Sequence, residues 1–401
     1  MASAVATGLS PTASNAAPPP GFWQREASHF PQPLFPFTRS VILPQENAIF
    51  RQIFSEYGML LEAVEFCEIG GWVYQRQVPL GGKERKAPPA WVMWLAARTS
   101  PSLRKRLRTN VRAIREDLSW REIQRWVTDW RPAQQAGIAE LRAVDMPALD
   151  DPRLLAHFER VFAFGARSTE IHFRLTPPGI CLADLAFACQ DLLGWDDRRP
   201  FDLLRGLSTA STEPARRLSA LSEMLRSRPA VRSLLERPLE AAAEQLAAVD
   251  PEFASAFAAY QHEFGFRALR YEFADQTLEE VPSLTLGLIR DQVRRRYDPV
   301  AESQAAERTR TAALAEARAA LAGCSAADRD RFERALERAQ TYYPVREDNE
   351  FWTISAPMAL GRYAVLELGR RMARCPSRLT PSSSNTASSS APSTARRTAA
   401  T

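Results

Sequence analysis

From Pro88 to Arg374 nearly all apolar residues recur at helical spacing, and this pattern restricts the chain to a largely helical architecture. In the stretch beginning at Asp151, one stripe carries Phe158, Phe162, Gly165, Thr169 and His172. Phe253, Phe257, Gln261 and Phe264 form another. Residues 306–321 and 328–341 read as a helical hairpin broken at Gly323-Cys324-Ser325. A last long helix is expected from Arg346 to Arg374, kinked at Pro357, which lacks an amide proton. The best strand pattern comes earlier, in EFCEIGGWVYQRQV. There Gly70-Gly71 supports a tight reversal, because glycine accepts positive φ. The expected class is mainly α with a small β-hairpin (α+β), an irregular multi-helix domain.

Composition sets the boundaries. Residues 1–20 hold Ala, Ser, Thr and Pro and should be disordered, since they cannot bury enough apolar surface. Residues 21–44 are proline-punctuated, and should lie extended with Trp23, Phe30 and Phe37 docked in pockets. A helix is expected from Glu46 to about Leu61. The main domain spans 21–374, with a sub-boundary near 145–150. From Cys375 the chain becomes a low-complexity tail, 375–401. GC-rich codons read out of frame give such Ser, Pro, Thr, Arg and Ala runs, so a frameshift or truncation is favoured over a natural linker.

With 401 residues, 45% apolar and 25% charged, the chain can build a large core without staples. The cysteines, Cys67, Cys181, Cys189, Cys324 and Cys375, are odd in number and form no C-x-x-C pair. Free thiols in a reducing cytosol follow, and with them a cytoplasmic location. The net charge of +5 is modest and does not call for nucleic acid. The basic run Leu103 to Arg115 reads as a solvated helix face, because Leu103, Leu107, Val111 and Ile114 give it an apolar stripe. The first residues fail as a secretory signal, and no run of about 18 apolar residues exists to span a membrane.

The motifs name no catalytic residue. His29, His157, His172 and His262 lack metal-site spacing. There is no phosphate loop, dinucleotide fingerprint or nucleophile elbow. Three polar clusters remain. Ser211, Thr212 and Glu213 open a helix, where they can cap it or contact a ligand. Gly265 ends the Phe-striped helix as a C-cap, and Arg267, Arg270 and Glu272 follow among Phe266, Tyr271 and Phe273. Arginine in such company is either a positioned donor for an anionic or planar partner, or half of an Arg–Glu pair. Arg346, Glu347, Asp348 and Asn349 start the last helix after Pro344. The helix dipole accounts for the two acids but not for Arg346.

Taken in order, the W-x-R-x-x-x-H-F-P-x-P-L segment, the hairpin, LLGWDD, STEPARRL, HEFGFRALRYEF and REDNEFW resemble the middle region of rifampicin-phosphotransferase-like and phosphoenolpyruvate-synthase-like proteins. The resemblance covers roughly residues 21–374. It implies a substrate region that works beside an ATP-grasp domain and a swivelling phosphohistidine domain. ATP and Mg²⁺ belong to intact relatives, and no cofactor is expected in this chain. The T-x-G-G-x-x-S-H carrier motif of the relatives has no match here. By resemblance, Arg267 and Glu272 are the first candidate substrate-binding residues, then Thr212, Glu213 and Arg346. The expected partners are an apolar or aromatic small molecule and a separate ATP-grasp or phosphohistidine subunit. The competing expectation is a binding module or docking subunit without catalysis.

Overall fold

A computed structural model describes residues 19–81, 89–208 and 213–374. The first helix, α1 (Pro36–Glu56), begins ten residues before the expected start and contains Pro44. Pro36 fits the first turn, where a missing amide costs nothing. Pro44 is tolerated because Ile42, Leu43, Glu46, Ile49 and Ile53 are buried on either side of it. Packing therefore overrides the local penalty of proline. Phe37 is thus helical rather than extended, exposed on one side and packed against Phe158, Phe162 and Phe273 on the other, whereas Phe30 is buried.

The hairpin forms as expected. Strands β2 (Leu61–Ile69) and β3 (Trp72–Pro79) pair antiparallel, with Ile69 opposite Trp72. Gly70 and Gly71 turn between them at φ 61° and 89°, values that disfavour side chains. A short strand that the alternation does not reveal, β1 (Gln24–Arg25), joins the free side of β3. The guanidinium of Arg25 lies 3.8 Å from the Trp72 ring centroid.

Helices α2 (Ala90–Thr99), α3 (Pro101–Arg115), α4 (Leu118–Arg125) and α5 (Arg131–Arg142) lead to the long α6 (Asp151–Arg174). The stripe of α3 is covered only in part: Leu103 is buried, while Val111 and Ile114 are exposed. The end of α6 is fixed by charge. Arg174 pairs with Glu56 (2.6 Å), Glu170 (2.8 Å) and the fully buried Glu122 (3.2 Å). Tyr57 donates its hydroxyl to the other Glu122 oxygen.

Helices α7 (Ile180–Leu193), α8 (Glu213–Arg226), α9 (Pro229–Leu234), α10 (Leu239–Val249), α11 (Pro251–Phe264) and α12 (Pro282–Arg295) follow. The expected helical hairpin is present as α13 (Pro299–Leu321) and α14 (Ala326–Glu350). Two apolar cores organise this half. One unites Leu218, Leu225, Phe253, Phe257, Leu286 and Ile289. The other unites Leu185, Cys189, Leu203, Ala317, Phe332 and Leu336. Among the described residues, no helix is long and apolar enough to cross a membrane.

The last helix does not start at Arg346. Pro344 lies inside α14, which runs on to Glu350, widens into a π-turn at Phe351–Ser355 and continues as α15 (Ala356–Arg374). The irregularity falls just before Pro357, where a missing amide and a bulky ring disfavour an ordinary turn. Glu347 and Asp348 are therefore mid-helix, and the dipole argument for them fails. Asp348 is buried instead and accepts the Ser208 hydroxyl at 2.9 Å.

Residues 265–281 form a loop bound on two sides. Arg362 of α15 forks onto Glu280 (2.7 and 2.8 Å) and donates to the carbonyls of Phe273 and Ala274, both at 2.9 Å. Glu272 accepts the amides of Phe35 and Ala274 (both 2.9 Å) and the Thr38 hydroxyl, which anchors the start of α1. Gly265 does end α11, but at φ −79° rather than in a left-handed cap. A Cβ there would meet the Gln261 carbonyl at 2.4 Å, so close backbone approach selects glycine. Replacing Arg362 with Met should cost about 3–5 kcal/mol, because it strands Glu280 and two carbonyls. Guanidinium unfolding tests this, and a loss below about 1 kcal/mol would show that the loop is held by other contacts.

Candidate functional site

Four pieces of the fold converge on one cleft. Helix α1 supplies Val41, Ile42, Gln45 and Glu46, and α6 supplies Phe162, Gly165, Ala166 and Thr169. The loop adds Tyr271 and Phe273, and the π-turn with α15 adds Thr353, Ile354, Pro357, Met358 and Gly361. The cavity is narrow, about 40 Å³, and its walls are mostly apolar. Gln45 ties the walls together by donating to the Ala166 carbonyl at 3.0 Å. Phe162 and Phe273 meet with ring centroids 5.4 Å apart, and Phe37 sits against both. A Cβ on Gly361 would lie 2.5 Å from the Phe273 ring, so glycine permits that ring's position.

One wall carries an acid. Glu46 is 5% exposed, and its Oε2 is enclosed with no hydrogen-bond partner among the described residues. Burial pushes its pKa up to about 8, and the nearby Glu26 adds to the rise. Burial acts on Glu26 in the same direction, but hydrogen bonds from Ser28 and His29 outweigh it and keep that carboxyl low. Glu46 is therefore the member of the pair that stays protonated at neutral pH. His172 is on the same stripe as Thr169, with Nδ1 3.2 Å from the Thr353 hydroxyl. Burial lowers its pKa to about 4, so it is neutral. The Tyr271 phenol is raised by burial and by Glu350 and Glu46.

The residues singled out by sequence are dispersed around this geometry. Arg267 lies 4.7 Å from the Phe351 ring centroid, and its Nε has no partner. Burial lowers its pKa, against the pull of Glu350. Arg267 and Glu272 do not pair, because Glu272 is committed to α1 and Ala274. Arg270 pairs instead with Asp275 at 2.6 Å. Glu213 opens α8 and forks with Arg216, whose hydrogen bonds hold the carboxyl low. Thr212, with Ser211, lies outside the described residues. Arg346 is exposed on α14. Among the described residues, no group of acids, histidines and cysteines is arranged to hold a metal.

Sequence reasoning missed Glu46. A signal was present: Ile42, Glu46, Ile49 and Ile53 follow helical spacing, and an acid inside such a stripe asks for an explanation. The α6 stripe was read correctly, and its Phe162, Gly165 and Thr169 line the cleft.

Two outcomes follow. The folded pKa of Glu46 lies above its unfolded value of 4.5, so its contribution is complete below that value and is lost as pH rises through about 8. His172 has the opposite sign: its contribution is complete above 6.5 and is lost as pH falls through about 4. Between pH 6.5 and 8 only Glu46 of the two should act. Raising pH across that window should cost the native protein about 2 kcal/mol more than Glu46→Gln, as read from urea unfolding. Gly361→Ala should cost about 1–3 kcal/mol by displacing Phe273, with a matching fall in melting temperature.

Comparison with known proteins places part of the chain. Residues 178–347 match the model of the rifampicin phosphotransferase fourth domain. Chondramide synthase of Chondromyces crocatus is 31% identical over 214 residues, 52% of this chain. The chain spans only 5% of that protein's length. Of the cleft, the loop residues Tyr271 and Phe273 lie within the matched segment, while the α1, α6 and α15 walls lie outside it. The similarity to the rifampicin phosphotransferase fourth domain is therefore confined to residues 178–347.

Proposed function

We propose that this chain is the acceptor-binding region of a phosphotransferase-like system and holds an apolar small molecule in the cleft between α1, α6, the 265–281 loop and α15. The observation that carries the reading is a cleft walled by Phe162, Tyr271 and Phe273 and holding an unpartnered buried acid, built partly on the family-matched segment. A strongly perturbed acid in an apolar cleft is a candidate functional group. In this reading phosphate comes from a histidine on an ATP-grasp and phosphohistidine partner, which also brings ATP and Mg²⁺. Arg267, beside Phe351, is kept as a candidate substrate-binding residue outside the lining of this cleft. Glu272 supports the site by fixing the loop to α1. Thr212, Glu213 and Arg346 stay further candidate substrate-binding residues on the resemblance alone. The setting is the cytoplasm, where the free thiols of Cys181 and Cys189 are stable.

A docking role without catalysis is a second reading, favoured by the exposed Trp91, Trp94 and Leu95 of α2.

Thermal shift with a panel of apolar small molecules, without ATP, tests the first reading. A saturating ligand at 100 times its Kd should stabilise the chain by about 2.7 kcal/mol, and Phe162→Ala should abolish the effect. Incubating the chain alone with ATP and Mg²⁺ should leave its histidines unlabelled. A phosphohistidine formed by the chain alone would overturn the proposed division of labour.

A further inference from the structure

The polar groups of the cleft have a common character. Thr169 spends its hydroxyl hydrogen on the Gly165 carbonyl at 2.9 Å, and Thr353 spends its own on the Asn349 carbonyl at 2.6 Å. Gln45 spends amide hydrogen on Ala166. Thr169 and Thr353 still offer oxygen lone pairs, and Gln45 its amide oxygen and one remaining amide hydrogen. Glu46 adds an enclosed oxygen with no partner. Among the described residues, no Arg, Lys or His lines the cleft, although the chain carries 52 Lys and Arg. The Glu26 carboxylate acts on Glu46 and is also negative. Phe162, Tyr271 and Phe273 line the cleft, and aromatic faces attract cations.

We infer that the cleft takes the ammonium group of an apolar amine, seated against Glu46 with the threonine oxygens as further acceptors. The inference rests on the reading of this cleft as a small-molecule site, and it names the class of molecule. An ammonium supplies three N–H donors to a site that holds acceptors, and its charge is complementary to the one acid. When it binds, Glu46 releases its proton to water, and the carboxylate pairs with the cation, so charge and protons balance. A carboxylate or phosphate group would find no cationic side chain among the described residues that line the cleft. The small volume, about 40 Å³, suits a headgroup of a few atoms, with the ligand's body lying towards Phe37.

Titration calorimetry of the full chain at pH 7 tests this with 2-phenylethylammonium chloride, neutral 2-phenylethanol and 3-phenylpropionate. The amine should bind at least tenfold more tightly than the alcohol, and the acid should be weakest. Glu46→Gln should erase the preference of amine over alcohol. Thr169→Val removes an acceptor at nearly constant volume and should weaken the amine several-fold, so the test stands even if the Glu46 variant does not fold. Gly165→Leu, at a position with open space around its Cβ, should block the amine and the alcohol alike. Equal affinity for amine and alcohol, both blocked by Gly165→Leu, would overturn the amine assignment and leave the cleft as a binding site. An amine preference that survives in Glu46→Gln would likewise overturn the assignment. No binding of any probe to the native chain would overturn both readings.

Discussion

The structure depends on the double anchoring of the loop between Gly265 and Val281. Arg362 fixes it from α15 by a two-pronged ion pair and two carbonyl contacts, and Glu272 fixes α1 to it from the other side. A loop of this length has many backbone groups to satisfy, and a buried guanidinium with five donors meets several at once. With the loop held, Tyr271 and Phe273 are presented to the cleft, and α1 starts where Ile42 and Glu46 face inward. The cleft is thus a consequence of how the loop is tied down. Arg362 and Glu272 act on it by position.

Glu46 is placed against stability. Its carboxyl oxygen has lost water without gaining a partner, and that desolvation is what raises its pKa. No described side chain repairs the loss: Thr169 and Thr353 direct their hydroxyl hydrogens at backbone carbonyls, and Gln45 donates to the Ala166 carbonyl rather than to Glu46 Oε2. Elsewhere the chain treats buried acids differently. Glu122 is enclosed as deeply, yet Tyr57 and Arg174 both donate to it. The contrast between these two glutamates is the physical reason for placing the site at the first and a structural joint at the second.

The π-turn shows how a local irregularity serves the cleft. Proline at 357 and the wide turn at Phe351–Ser355 bring Thr353, Ile354 and Pro357 onto the same wall. Sequence reading located an irregularity at Pro357 but put the helix start at Arg346, since Pro344 looked like a boundary. Helix α14 runs through Pro344 because Tyr342, Val345, Asp348 and Asn349 are buried around it. The same override operates at Pro44 in α1. In both places, tertiary burial outweighs the loss of one helical hydrogen bond.

The sequence by itself determined the mainly helical class, the Gly70-Gly71 hairpin, the α13–α14 pair and the stripe of α6, because each is written in local periodicity or turn chemistry. It also carried the short motifs behind the phosphotransferase resemblance, which the match over residues 178–347 supports. Only the tertiary structure decided which charged residues meet. Arg267 and Glu272 are five positions apart and looked like a pair, yet Glu272 bonds to Phe35 and Thr38, more than 230 residues away along the chain. Glu46 gave one faint sign, an acid in an apolar stripe, and its isolation depends on α6, the loop and α15 closing around it. Periodicity reports which face of an element is buried. Whether a buried polar atom finds a partner is set by elements distant in sequence, and no local pattern encodes it.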